Sequence, residues 1–145
     1  MNPRAAHVRF YVDADILGLG KILGSFRSDV TYPGDPGAVI RKRRREPCPI
    51  ASPDVLDTDW IPELAARGWL IVTRDSMIIQ NRNEIAATRE NNAKMVALNQ
   101  RDAQTKRGQL EVLMTQWRRI EAPAAKRGPF IWRVSRTAMT SIPLD

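Results

Sequence analysis

Residues 10–23 read FYVDADILGLGKIL. Phe10, Tyr11 and Val12 run straight into Asp13, and Asp15 follows two positions later. Val8–Val12 is rich in β-branched and aromatic residues and ends on a polar break, which predicts a strand. Ile16, Leu17, Leu19, Ile22, Leu23 and Phe26 then recur at helical spacing, which predicts an amphipathic helix over 16–26. Gly18, Gly20 and Gly24 weaken that helix in isolation and point to tight packing against a sheet. Asp15 sits where the N-cap of a helix beginning at Ile16 belongs, whereas Asp13 falls one residue too early for that role.

The same alternation continues along the chain. Val30–Tyr32 reads as a short second strand closed by the turn-forming PGDPG at 33–37. WLIVT at 69–73 is a strand running into Arg74-Asp75. Before it lies a loop and helix over 55–67, with Pro62 tolerated in a first turn and Gly68 as the stop. A helix over 83–93 leads to a strand KMVALN at 94–99. Leu110, Leu113, Met114, Trp117 and Ile120 share one helical face, and PFIWRVS at 129–135 closes as a strand. Strands alternating with helices predict an α/β domain with a mostly parallel sheet. A chain of 145 residues that is 43% apolar suits one such domain, 1–145.

Composition narrows the chemistry. With Cys48 and His7 the only cysteine and histidine, thiolate zinc sites and Ser-His-Asp chemistry are excluded. A metal here must sit on carboxylates, which suits a hard ion such as Mg²⁺ or Mn²⁺. In an open parallel sheet ligands bind at the carboxyl ends of the strands, where Asp13 and Asp75 lie. Asp54, Asp57 and Asp59 form a further acidic group, of which at least one is expected only to cap a helix. No apolar run is long enough to span a membrane and no apolar signal region opens the chain, so the expectation is a soluble cytoplasmic protein.

The net charge is +7, with 11 Lys/Arg against 10 Asp/Glu in residues 1–75 and 12 against 6 in residues 76–145. Such a balance favours a polyanion such as RNA as partner. RKRRR at 41–45 lies in a basic segment at about 38–53 and reads as a solvated loop. Arg41, Lys42, Arg43, Arg44 and Arg45 would therefore either contact phosphates or simply face solvent. Trp60, Trp69 and Trp117 read as core rather than as stacking platforms, and Trp132 is undecided.

RFYVDADILGLGKIL at 9–23, DTDWIPELAARGWLIVTRDSMI at 57–78 and NEIAAT at 83–88 resemble a PIN-like domain, in particular its VapC-type, toxin-related branch. The likeness runs over roughly 8–135. It implies a three-layer α/β fold and a Mg²⁺- or Mn²⁺-dependent endoribonuclease acting as the toxin of a toxin–antitoxin pair. Carried over, Asp13 matches the first-strand acid, Asp57 the acid three before Trp60, and Asp75 the acid of Thr-Arg-Asp. Asp59 is a near alternative to Asp57, Glu84 a further candidate ligand, and Arg74 a substrate-binding candidate. An antitoxin partner is implied by the resemblance alone, and homodimerisation is left open. Two other readings compete. One is a PIN-like module that binds nucleic acid or protein without cleaving. The other, a phosphoacceptor receiver-like domain, wants adjacent acids after the first strand, which Asp13-Ala14-Asp15 does not supply.

Overall fold

The computed structural model describes residues 2–53, 57–75 and 82–145, with the side chains of 57–59 and 75 excepted. In chain order its elements are β1 (Arg4–Ala5), β2 (Phe10–Val12), a 3₁₀ turn (Ala14–Ile16), α1 (Leu17–Gly24), β3 (Val30–Thr31), β4 (Ala38–Ile40), β5 (Arg43–Arg45), α2 (Asp57–Ala66), β6 (Leu70–Asp75), α3 (Arg82–Glu90), β7 (Lys94–Asn99), α4 (Lys106–Ala124), β8 (Phe130–Val134) and β9 (Met139–Ser141). The main sheet has the order β3-β2-β6-β7-β8-β9. All its pairs are parallel except β8 with β9.

Alternation along the buried strands divides the core between the two faces of this sheet. Phe10, Val12, Leu70, Val72, Val96 and Leu98 pack with Leu19 and Leu23 of α1 and Val112, Leu113 and Ile120 of α4. Tyr11, Ile71, Met95, Ala97 and Ile131 pack with Trp60, Ile61 and Leu64 of α2, and Ile85 of α3 closes over them. The result is three layers, helix–sheet–helix, as the alternating pattern predicts.

Local chemistry accounts for the joints. Gly20 and Gly24 let α1 settle on Val12 and Tyr32, since a Cβ at Gly20 would fall 3.0 Å from Tyr32 Cβ. Gly68, at φ +73, ends α2: its N–H donates to Ala65 O, and the next N–H, from Trp69, donates to Leu64 O. That is a Schellman closure, and only glycine takes this backbone without strain. Pro62 lies in the second turn of α2 rather than the first, and so removes one helical hydrogen bond. Lys94 at the start of β7 caps the end of α4 by donating from Nζ to Ala124 O at 2.7 Å.

The basic segment departs from its loop reading. Residues 38–45 form a hairpin, β4 against β5, and β5 also pairs in parallel with β1 in a separate three-stranded sheet. Arg41 and Lys42 turn the hairpin at φ 50 and 66. Two successive positive φ values are the two-residue hairpin turn that Asn-Gly normally supplies. Arg45 is not solvated. Its side chain is 2% exposed, and its Nε lies 2.6 Å from Oδ2 of Asp35, which is 0% exposed. Thr31 and the Gly37 N–H complete the Asp35 carboxylate, while Arg45 also donates to Gly24 O and Arg27 O. Every partner of this buried pair is thus satisfied. No helix among the described residues is long and apolar enough to cross a membrane.

Arg45→Met should cost about 3–5 kcal/mol in urea unfolding, because it strands the Asp35 charge, and Arg45→Met with Asp35→Leu should recover part of that. Asp29 provides a pH-dependent counterpart. Burial pushes its carboxyl up, but bonds from Arg27 and Arg9 outweigh that and hold it below the ordinary 3.8. A depressed acid stabilises the fold above its unfolded pKa and loses that as pH falls. Asp29→Asn should therefore be most destabilising at neutral pH, with a difference from wild type that shrinks below pH 3.8.

Candidate active site

β2 and β6 pair as Phe10↔Leu70, Tyr11↔Ile71 and Val12↔Val72, so the chain leaves β2 at Asp13 directly beside Thr73. The Asp13 N–H donates to Val72 O at 2.8 Å, extending the ladder by one step. β6 runs on to Asp75, which is in register with Asn99 at the end of β7. The short turns joining α2 to β6, α3 to β7 and α4 to β8 run each helix antiparallel to the strand it precedes, so every one of these helices begins at this same carboxyl edge. Asp57 and Asp59 open α2 and Glu84 lies in the first turn of α3. The topology therefore delivers Asp13, Asp57, Asp59, Asp75 and Glu84 to one edge of the sheet. Asp54 lies outside the described residues, as do the side chains of Asp57, Asp59 and Asp75.

The capping roles of the first acids are reversed from the sequence reading. Asp13 is the N-cap of the 3₁₀ turn, and its Oδ1 accepts from the Ala14 N–H. Ile16 occupies the N-cap of α1, with no side-chain bond to the helix. The 3₁₀ turn inserted before α1 shifts the cap two residues back and releases Asp15. Asp15 instead meets the Thr73 hydroxyl, which lies 3.0 Å from Asp13 Oδ2 and 3.3 Å from Asp15 Oδ1. One buried hydroxyl thus sits between two carboxylates and can donate to either. Sequence reasoning passed over Thr73, although it stands in the Thr-Arg-Asp triplet itself.

Arg74 supplies the balancing charge. Its Nε is 4.0 Å from Asp15 Oδ2, close enough for Coulomb attraction but too long for a hydrogen bond. Among the described residues, that Nε is the buried side-chain nitrogen without a hydrogen-bond partner. Desolvation pushes the Asp15 carboxyl above its ordinary value, and Arg74 and Thr73 offset that only in part. Its side chain still keeps 32% exposure, so it faces both the pocket wall and solvent.

The donor set at this edge is carboxylate and hydroxyl oxygen, without sulfur or imidazole, which fits a hard divalent cation. Among the described residues no three acidic, His or Cys side chains gather tightly enough to hold an ion, a search that does not include Asp57, Asp59 or Asp75. The cations predicted to bind substrate divide between two places. Arg74 lies at the carboxylate edge. β5 is fastened through Arg45 to Gly24 and Arg27, at the end of α1 away from Asp13. Arg41, Lys42, Arg43 and Arg44 are exposed on that far side, and Arg45 is sealed in its ion pair.

Thr73→Val keeps the shape of a buried side chain while deleting the shared donor. We expect a loss of about 1.5–3 kcal/mol at neutral pH, the range for hydrogen bonds to charged groups, with Thr73→Ser restoring most of it in urea unfolding.

A family model described as PIN like domain matches residues 9–100, a span that runs from β2 to the end of β7 and contains each candidate acid. No curated protein and no solved structure matches the chain. The chain belongs to the PIN-like domain family, a nuclease-type fold family whose members generally use divalent metals.

Proposed function

We propose that this PIN-like domain is a metal-dependent endoribonuclease and the toxin of a toxin–antitoxin pair. The observation that carries the catalytic reading is the β2–β6 pairing, which brings Asp13 and the Thr73-Arg74-Asp75 triplet onto adjoining strand ends within the matched span. A Mg²⁺ or Mn²⁺ ion held by Asp13, Asp57 and Asp75, with Asp59 and Glu84 as further oxygen ligands, would supply Lewis-acid activation of water and of a phosphodiester.

The chain's own groups have separable tasks. Ala14 N–H and the Thr73 hydroxyl each engage one oxygen of Asp13, which fixes the plane of that carboxylate before any ligand arrives. Each oxygen keeps a lone pair for a further contact. Arg74 neutralises Asp15, and its orphaned Nε suits a site completed by an acceptor that the chain does not itself provide, such as a phosphate or water oxygen. Arg41, Lys42, Arg43 and Arg44 would contact phosphates remote from the scissile bond, because β5 is anchored at the other end of α1. The toxin role and its antitoxin rest on the likeness of the Asp-x-x-Trp and Thr-Arg-Asp segments to the VapC-type branch.

Asp75→Asn removes a ligand charge and keeps the side-chain shape. Cleavage of RNA by the purified variant in Mg²⁺ should be abolished while its unfolding midpoint stays near wild type. Cleavage at the wild-type rate would rule out this assignment.

A further inference from the structure

The edge of the sheet opposite the carboxylates is also built for a ligand. Two adjoining cavities, of about 500 and 560 Å³, share Gly68, Trp69, Lys94 and Ala125 and so form one groove. Its walls come from residues that precede β6 and β7 and from those that follow α4. Six strand residues, Leu70–Asp75, at about 3.3 Å each put Trp69 about 20 Å from the catalytic edge.

The groove's charge is almost entirely of one sign. Arg67, Lys94, Lys126 and Arg127 line it, against the single carboxylate of Glu46. Lys94 is committed to Ala124 O and Arg67 to Glu63. Lys126 and Arg127 are exposed and form no ion pair with any described residue. The half-buried Trp69 ring forms part of the floor, with the Arg67 guanidinium 5.3 Å from its centroid. A planar cation over an indole is a surface on which a base can stack, and the free cations beside it suit phosphates. Glu46 and Pro47, which follow β5 directly, join the groove to the hairpin that carries Arg41–Arg44.

We infer that this groove is a second nucleic-acid site, gripping single-stranded RNA through Lys126, Arg127 and the Arg67–Trp69 stack on the side away from cleavage. The choice of RNA as ligand rests on the ribonuclease reading; the groove itself does not. An aromatic–guanidinium platform between cations favours a nucleic acid over an acidic peptide, which needs only the charge.

The test is binding of a labelled oligouridylate to the full chain carrying Asp13→Asn, in a chelator, so that turnover plays no part. Adding Lys126→Gln and Arg127→Gln should weaken binding at low salt and flatten the dependence of log affinity on log salt by about 1.4, two contacts at about 0.7 each. The exposed position of both residues predicts an unchanged unfolding midpoint. Polyglutamate at equal charge should displace the RNA poorly, because it cannot stack. Binding curves that overlay those of the Asp13→Asn parent at every salt concentration would overturn the inference, and so would equal displacement by polyglutamate. Wild-type cleavage is assayed separately. Groove-dependent binding without Asp75-dependent cleavage would sink the ribonuclease reading and leave the groove standing. Cleavage with overlaid binding curves would do the reverse.

Discussion

The parallel pairing of β2 with β6 is the constraint on which the rest of this molecule depends. It places Tyr11 beside Ile71 and Val12 beside Val72, and so sets which residues feed each of the two cores. A one-residue slip would exchange the faces and drive Thr73 away from Asp13. Register and site are therefore one requirement. The hydrophobic alternation that fixes the sheet also aims the Thr73 hydroxyl at the two carboxylates.

Much of this pairing could be read from the sequence, because both strands are short apolar runs that end on an acid. KMVALN is found as written, and WLIVT is extended through Asp75. The helix over 83–93 shortens to Arg82–Glu90, since Asn92 adopts φ 55 and ends it. The strand-end position of Asp13 could also be read from sequence, but its cap was not. Periodicity starts the helix at Ile16, and no periodic signal announces a 3₁₀ turn ahead of it. Spacing therefore gave the cap to Asp15 and left Asp13 without one. The interaction that overrides this is tertiary, as Thr73 comes from a strand about 60 residues away.

The hairpin is the larger omission, and it has a physical cause. Two-residue hairpin turns are recognised by Asn-Gly or Asp-Gly, whereas this one is made by Arg41-Lys42 at positive φ. Five consecutive cations carry no alternation of apolar and polar residues, so nothing marks β5 as a strand. Its inward side chain is a cation as well. Arg45 becomes buried only because Asp35, inside a segment that reads as a plain turn, supplies a charge that Thr31 and Gly37 help to satisfy. A buried pair of this kind is a costly way to gain stability, but it fixes geometry firmly. Here it determines which end of α1 receives the basic strand.

That placement separates the charges of the molecule along the direction of its strands. Candidate acids collect at the carboxyl edge, where α2, α3 and α4 also begin. Helix N-termini carry partial positive charge, so the backbone itself offsets part of the repulsion among those acids. The fixed cations lie chiefly at the other edge, on the hairpin and along the groove containing Lys126 and Arg127. The net charge of +7 is thus not spread over the carboxylates, where it would compete with a divalent ion for them. A polyanion approaching this surface meets attraction first at the amino edge and only a compensated, locally acidic field at the carboxyl edge. Arg74, held 4.0 Å from Asp15, is the cation the chain keeps beside the acids, and its own strand delivers it there. Capture of a phosphate chain and chemistry upon it are in this way assigned to opposite ends of the same six-residue strand, β6, whose two neighbours in the sheet carry Asp13 at one end and Lys94 at the other.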